Sequence, residues 1–295
     1  MRKLKLVKYV IGIFLIAGLF LVGCDNDDWE DGDGTLPPLL GYVIFPWENH
    51  DMAFNAIHPQ YVRFPVTDTD NIDQCVNRIK WYRSKGVLVI LCLQDKHNPE
   101  NTSNLGYEYA RRLRTADGII YECWNEQNSN IAPESEGWNN FIDPDRYVDM
   151  YKNFRNRILS VNGNAKVIIG GLNGEGRKLK EGKHWPAEKY LQRLHDKGIT
   201  SLTEYFNWHC YSDEAFYIVL EKCKDLDRHK KIIIGEFGTH DSNEDEKIKR
   251  HKYYIDKSTL NYVHIAVIYA WKDGDNFAIE NKPRYRDFIN TYKRR

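Results

Sequence analysis

Short apolar runs recur along this chain, separated by longer amphipathic stretches, and that alternation restricts the fold more than any other feature. The runs fall at 41–45, 61–66, 87–93, 119–124, 167–172, 205–211, 232–237 and 263–271. VLVILCL and KVIIGGL are apolar almost throughout, the pattern of strands covered on both faces in a parallel sheet. Between the runs, 73–85, 105–113, 145–161, 187–197, 214–226, 245–254 and 285–292 read as helices. In the third of these, Tyr147, Met150, Tyr151, Phe154 and Ile158 recur at helical spacing. Eight strands alternating with helices in 295 residues predict a single (β/α)8 barrel, a fold that typically takes roughly 250 residues. An open doubly wound sheet would be expected to carry a GxGxxG turn after its first strand, and none is present.

The N-terminus has a different character. Arg2, Lys3, Lys5 and Lys8 precede an apolar run at 10–22, the charge-then-hydrophobe order of an export signal. That run is well short of the ~20 residues a spanning helix needs. It ends in Leu21-Val22-Gly23-Cys24, which resembles a bacterial lipobox and implies cleavage before Cys24 and lipidation of its thiol. The acidic run that follows resembles the export tag of surface lipoproteins in Bacteroidetes-type bacteria, although a plain acidic linker looks similar. Both the cell surface and the periplasmic face of the outer membrane therefore stay open. Residues 1–23 are expected to be a signal peptide, 24–40 a flexible acidic tether and 41–295 the barrel.

Basic and acidic residues balance at 42 each, so nothing calls for nucleic acid or an anionic membrane as partner. Membrane contact is expected only through the anchor at Cys24, and the protein is expected to be a monomer. Besides Cys24 there are Cys75, Cys92, Cys123, Cys210 and Cys223, without CxxC spacing. They read as buried small hydrophobes, with one disulfide left open. Thr67–Asn71 (TDTDN) lacks calcium-ligand spacing and reads as a loop and helix cap. There is no HExxH, GxSxG or P-loop, and neither a metal nor a cofactor is expected.

In a barrel of this kind the chemistry gathers where strands end. Glu126 closes the fourth run and Glu236 the seventh, on opposite sides of one mouth. A small barrel can bring two such carboxyl groups to about 5–5.5 Å, the separation a double-displacement glycosidase uses.

The motifs around them resemble those of the large clan of retaining glycoside hydrolases that includes families five and thirty-nine. Trp124-Asn125-Glu126-Gln127-Asn128 is similar to the W-N-E-P-N acid/base motif, and IIIGEFGT at 232–239 to the nucleophile strand. The resemblance spans the chain from about residue 41 to the C-terminus. It implies Glu126 as acid/base, Glu236 as nucleophile and Asn125 as the group holding the neighbouring sugar hydroxyl. It implies Arg63 beside the nucleophile, Tyr211 hydrogen-bonded to it, His209 near the acid/base and Trp271 under the attacked sugar. Glu236 is then expected to stay an anion and Glu126 to hold its proton.

Gln127 departs from the usual Pro. The third run ends Gln94-Asp95-Lys96-His97, so that Gln94 or His97 would replace a histidine usual at that strand's tip. Trp47, Trp138 and Trp185 fall in loops and are candidate sugar platforms, whereas Trp124 reads as core. The expected activity is retaining hydrolysis of a β-linked oligo- or polysaccharide, with endo action on β-mannan, β-glucan or xylan. A barrel that binds surface glycans without catalysis, and a transglycosylase, are the alternatives. The Lys and Arg residues at 173–185 suggest an acidic or branched glycan.

Overall fold

A computed structural model describes residues 37–129, 141–174, 185–272 and 278–292. The strands are β1 (Leu39–Val43), β2 (Tyr61–Thr67), β3 (Leu88–Gln94), β4 (Ile119–Asn125), β5 (Lys166–Asn173), β6 (Tyr205–Cys210), β7 (Lys231–Phe237) and β8 (Val263–Ile268). All neighbours pair in parallel and β8 returns to β1, closing a single barrel. The helices are α1 (His50–Ile57), α2 (Ile72–Ser84), α3 (Thr102–Leu113), α4 (Pro144–Leu159), α5 (Ala187–Asp196), α6 (Asp213–Asp227), α7 (Glu244–Leu260) and α8 (Pro283–Thr291). This is the (β/α)8 barrel that the alternation predicts.

Helix starts follow local chemistry. Asn49, Asn71, Asp143, Ser212 and Asn243 each accept a hydrogen bond from a backbone N–H of the helix they precede. The TDTDN segment therefore supplies a loop and a cap, with Asp70 Oδ2 also accepting from the Thr67 backbone N–H at 2.7 Å.

Strand alternation sorts the core into two clusters. Tyr42, Phe64, Leu91, Cys123, Ile169, Phe206 and Ile234 face the helices, while Val43, Tyr61, Ile90, Ile120, Ile168, Tyr205, Ile233 and Ile265 fill the interior. Each such side chain contributes roughly 1.5–3 kcal/mol by leaving water. Cys75, Cys92, Cys123, Cys210 and Cys223 are all buried free thiols, as read, and none forms a disulfide with another.

Three elements differ from expectation. β1 begins at Leu39, inside the stretch read as tether, because Leu39 and Leu40 already pair with Ile265 and Ala266 of β8. β8 stops at Ile268 instead of reaching Trp271. The short α1 is also present. Among the described residues no helix is long and apolar enough to cross a membrane.

Candidate active site

Two residues beyond the apolar interior, on the same strand faces, the barrel lining becomes polar. Tyr61 gives way to Arg63, Ile90 to Cys92, Ile120 to Glu122 and Tyr205 to Asn207. Arg63 is fully enclosed and grips Glu122 with two hydrogen bonds, Nε to Oε2 at 2.7 Å and Nη2 to Oε1 at 2.9 Å. Glu122 Oε1 also accepts from the Gly171 N–H at 2.8 Å and Asn207 Nδ2 at 3.0 Å. The other side of the guanidinium points to the mouth, with Nη1 donating to Glu236 Oε1 at 2.5 Å and Nη2 to Asn125 Oδ1 at 2.7 Å. Burial alone would lower the pKa of Arg63. Glu122 and Glu236 outweigh that and hold its pKa well above the ordinary value, so the cation is fixed.

Glu236 owes its direction to a register change. From Trp208 to His209, β6 advances one residue while β7 advances two, Ile234 to Glu236. Against β8, β7 advances three residues while its neighbour advances two. One extra residue in β7 therefore interrupts the alternation, and both Gly235 and Glu236 face inward. Gly235 is required there, since a Cβ would come within 2.6 Å of Asn207 Oδ1. On β4 the device is backbone conformation. Trp124 and Glu126 both take positive φ, 76° and 52°. Trp124 thereby packs outward into the helix layer, and Asn125 and Glu126 line the mouth. Such conformations cost of order 1–3 kcal/mol each and persist only where surrounding contacts enforce them. Here Glu126 N–H donates to Gly171 O at 2.9 Å.

The two glutamates face one another across a cleft of about 1210 Å³ at the C-terminal ends of the strands. One carboxylate oxygen of Glu126, one of Glu236 and a ring nitrogen of His209 lie within 4.8 Å of each other. His209 Nδ1 is 2.8 Å from Glu126 Oε1, leaving Oε2 with no partner among the described residues. Tyr211 Oη donates to Glu236 Oε2 at 2.5 Å. Burial, then Glu236 and Glu126, hold the Tyr211 phenol well above its ordinary pKa, so it keeps its proton and acts as a donor. Each glutamate thus has its own setting, with a fixed cation and a phenol on Glu236 and an imidazole on Glu126, although the same His209 nitrogen also lies 3.5 Å from Glu236 Oε2.

Among the described residues two clusters have cation-ligand spacing, Glu126–His209–Glu236 and Asp68–Asp95–His97. In the first, the ligand-type atoms already bond one another, Arg63 and Tyr211. In the second, His97 bonds Asp68, and Asp95 accepts from the backbone N–H of His97 and Asn98. That is ordinary loop chemistry for Asp. Neither donor set requires an ion.

A family model described as Cellulase (glycosyl hydrolase family 5) matches residues 47–275. The chain belongs to glycosyl hydrolase family 5. It is a glycoside hydrolase. Among solved structures, the hyperthermostable endo-1,4-beta-D-mannanase from Thermotoga petrophila RKU-1 is 13% identical, over 86% of this chain and 99% of that one, with a TM-score of 0.60. A GH30 endoxylanase from Clostridium papyrosolvens C71 is 13% identical, over 88% and 72%, at 0.62. A glucosidase from Croceicoccus marinus is 11% identical, over 87% and 67%, at 0.63. At such identities the likeness speaks for the fold. No curated protein matches the chain.

In this family 5 barrel the residues singled out from sequence mostly converge. Arg63, Asn125, Glu126, Gln94, Tyr211, Glu236 and Trp47 all line the cleft. His209 stands behind Glu126, fully buried. All three guanidinium nitrogens of Arg63 donate to protein, so it orients its neighbours. Gln94 is the residue at the tip of β3, whereas His97 turns outward to Asp68.

Trp271 is a correction. It is 0% exposed and packs in the helix layer 6.1 Å from Tyr42, because the alternation of β8 ends at Ile268. Tyr269 lines the cleft instead, edge-on to Tyr211 at 6.3 Å. Trp185 is also a correction, since it packs against the core beside Tyr190. Trp124 is core, as read. Trp138, Cys24 and most of 173–185 lie outside the described residues. Sequence reasoning passed over Glu122, whose signal was a lone charge inside a strand, level with Arg63.

Proposed function

We propose that this family 5 protein cleaves β-linked glycans with retention, Glu236 as nucleophile and Glu126 as acid/base. The observation that carries the reading is the pair of carboxylates within 4.8 Å across one cleft, each with different partners. That separation falls far short of the roughly 6.5–9.5 Å an inverting enzyme needs to seat a water between them. Arg63 and Tyr211 each donate a hydrogen bond to Glu236. His209 holds Glu126 by Oε1, and Glu126 Oε2 has no partner among the described residues.

In the first half-reaction a Glu236 oxygen bonds the anomeric carbon while the glycosidic C–O bond breaks, and Glu126 protonates the departing oxygen. In the second, Glu126 takes a proton from water, the water oxygen bonds the same carbon and Glu236 leaves as an anion. Asn125, whose Oδ1 accepts from Arg63, would meet the hydroxyl beside the reacting carbon through its remaining amide donors.

Product release from β-mannan, β-glucan and xylan by residues 25–295 tests the reading, with Glu236→Ala alongside. Release by wild type alone supports it. Binding without release by either protein would favour a non-catalytic glycan-binding barrel. Glu126→Gln is expected to lose natural substrates yet retain dinitrophenyl glycosides, whose leaving group needs no proton. Equal loss on both would reject Glu126 as the acid. Export and tethering through Cys24 belong to the same proposal and rest on residues 2–24 alone. Labelling with a radioactive fatty acid, abolished in Cys24→Ala, is the check.

A further inference from the structure

A second hollow of about 510 Å³ lies on the flank of the mouth, between the loop after β1 and the outer face of α2. Trp47 and Asp70 line both this hollow and the catalytic cleft, so the two are continuous across one indole. Trp47 is 73% exposed, and the Phe45 ring stacks beneath it at 4.9 Å and 13°, which fixes its plane. Opposite, α2 turns Gln74, Arg78 and Trp81 toward the hollow at spacings of four and three, so they share one helix face. Arg78 lies 5.7 Å over the Trp81 ring, and its ion pair with Asp51 is long, at 3.9 Å, and partly exposed. The side-chain amides of Gln74 and Asn77, which also lines the hollow, hydrogen-bond to no described residue.

Aromatic faces flanked by amide donors and acceptors match the two surfaces of a sugar ring, C–H above and hydroxyl at the edge. The lining carries one acid, Asp70, and one base, Arg78, so it has no net charge to select a polyanion. We propose that this hollow is a distal binding site for a neutral β-linked glycan, reached by a chain that leaves the cleft over Trp47. The proposal rests on the glycan-cleaving assignment of the cleft. Its consequence is dependence on chain length. A short oligosaccharide occupies the cleft alone, whereas a longer one engages a second set of contacts within the same molecule.

The test is the double variant Gln74→Ala/Asn77→Ala, two exposed helix positions where alanine favours the helix. Calorimetric affinities for cello- and manno-oligosaccharides of increasing length are measured in a Glu236→Gln background, which prevents turnover. Retardation in gels containing soluble glucomannan is measured beside them. The expected result is unchanged affinity for the shortest binders and a loss of about five- to tenfold for the longest, with weaker retardation. Equal loss at every length, no loss at any length, or no binding of either sugar series would overturn the proposal. An unchanged melting temperature establishes that the variant folds. Length-dependent binding in a protein whose wild type releases no sugar would keep the distal site and reject hydrolysis, so the two readings fail separately.

Discussion

On β2, β4 and β6 the barrel interior changes character within two residues. Tyr61, Ile120 and Tyr205 meet hydrophobic neighbours, whereas Arg63, Glu122 and Asn207, one step along the same faces, form a connected polar network. The apolar layer can tolerate inexact partners because dispersion and burial are not directional. The polar layer cannot, since each buried charge costs several kcal/mol unless its hydrogen bonds are all met. Glu122 is fully met, and that lets Arg63 extend its remaining donors to Glu236 and Asn125 without drifting.

Three measurements probe that contrast. Glu122→Ala leaves Arg63 buried without its main partner and is expected to lose about 3–5 kcal/mol in urea unfolding, together with activity. A loss under about 1 kcal/mol would mean the polar layer is not a buried network. Ile120→Ala, two residues earlier, is expected to lose about 3 kcal/mol through its cavity while leaving the pH profile of kcat unchanged. A changed profile would show that the two layers are coupled. Gly171→Ala is smaller, about 1–3 kcal/mol of overpacking, because the new Cβ would lie 2.2 Å from His209 Nε2. Its expected signature is an altered pH profile of kcat/KM, as His209 is pushed from Glu126.

A fourth measurement, the weakest in effect, asks whether sensitivity to acid belongs to the barrel interior at all. His50 lies outside it, buried against Tyr82 with Nδ1 3.0 Å from the phenol oxygen. Burial, then Arg78, lowers its pKa from 6.5 to about 4. A depressed folded pKa means the stabilisation is complete above pH 6.5 and is lost as pH falls toward 4. His251, buried beside Tyr285, acts in the same sense. His50→Gln is expected to flatten the fall of stability between pH 6.5 and 4. An unchanged slope would return the acid sensitivity to the polar layer.

The strands were legible because parallel strands buried on both faces have to be apolar almost throughout, and Val89–Leu93 or Val167–Ile169 admit no other reading. The short α1 was not, since it buries only His50, Ala53 and Ile57, too few positions to show a period. Glu126 and Glu236 stood out at strand ends. Glu122 did not, because pairing it with Arg63 needs the register of neighbouring strands, which a string of letters does not carry. Tyr269 and Trp271 were exchanged for a related reason. Trp271 follows from the resemblance of the run at 269–271 to a strand tip, whereas β8 ends at Ile268 and the aromatic residue just beyond it, Tyr269, lines the cleft.

The extra residue in β7 has a consequence for how such a molecule gains or loses its chemistry. Removing Gly235 alone would restore the two-residue rhythm and draw Glu236 one step down the barrel, to the inward position beside Asn207 where a Cβ has no room. Every acid would remain in the sequence, in the same order, and the barrel would still close. The position of the proposed nucleophile is therefore stored as a count of residues between two hydrogen-bonded positions, and not in the identity of the glutamate alone.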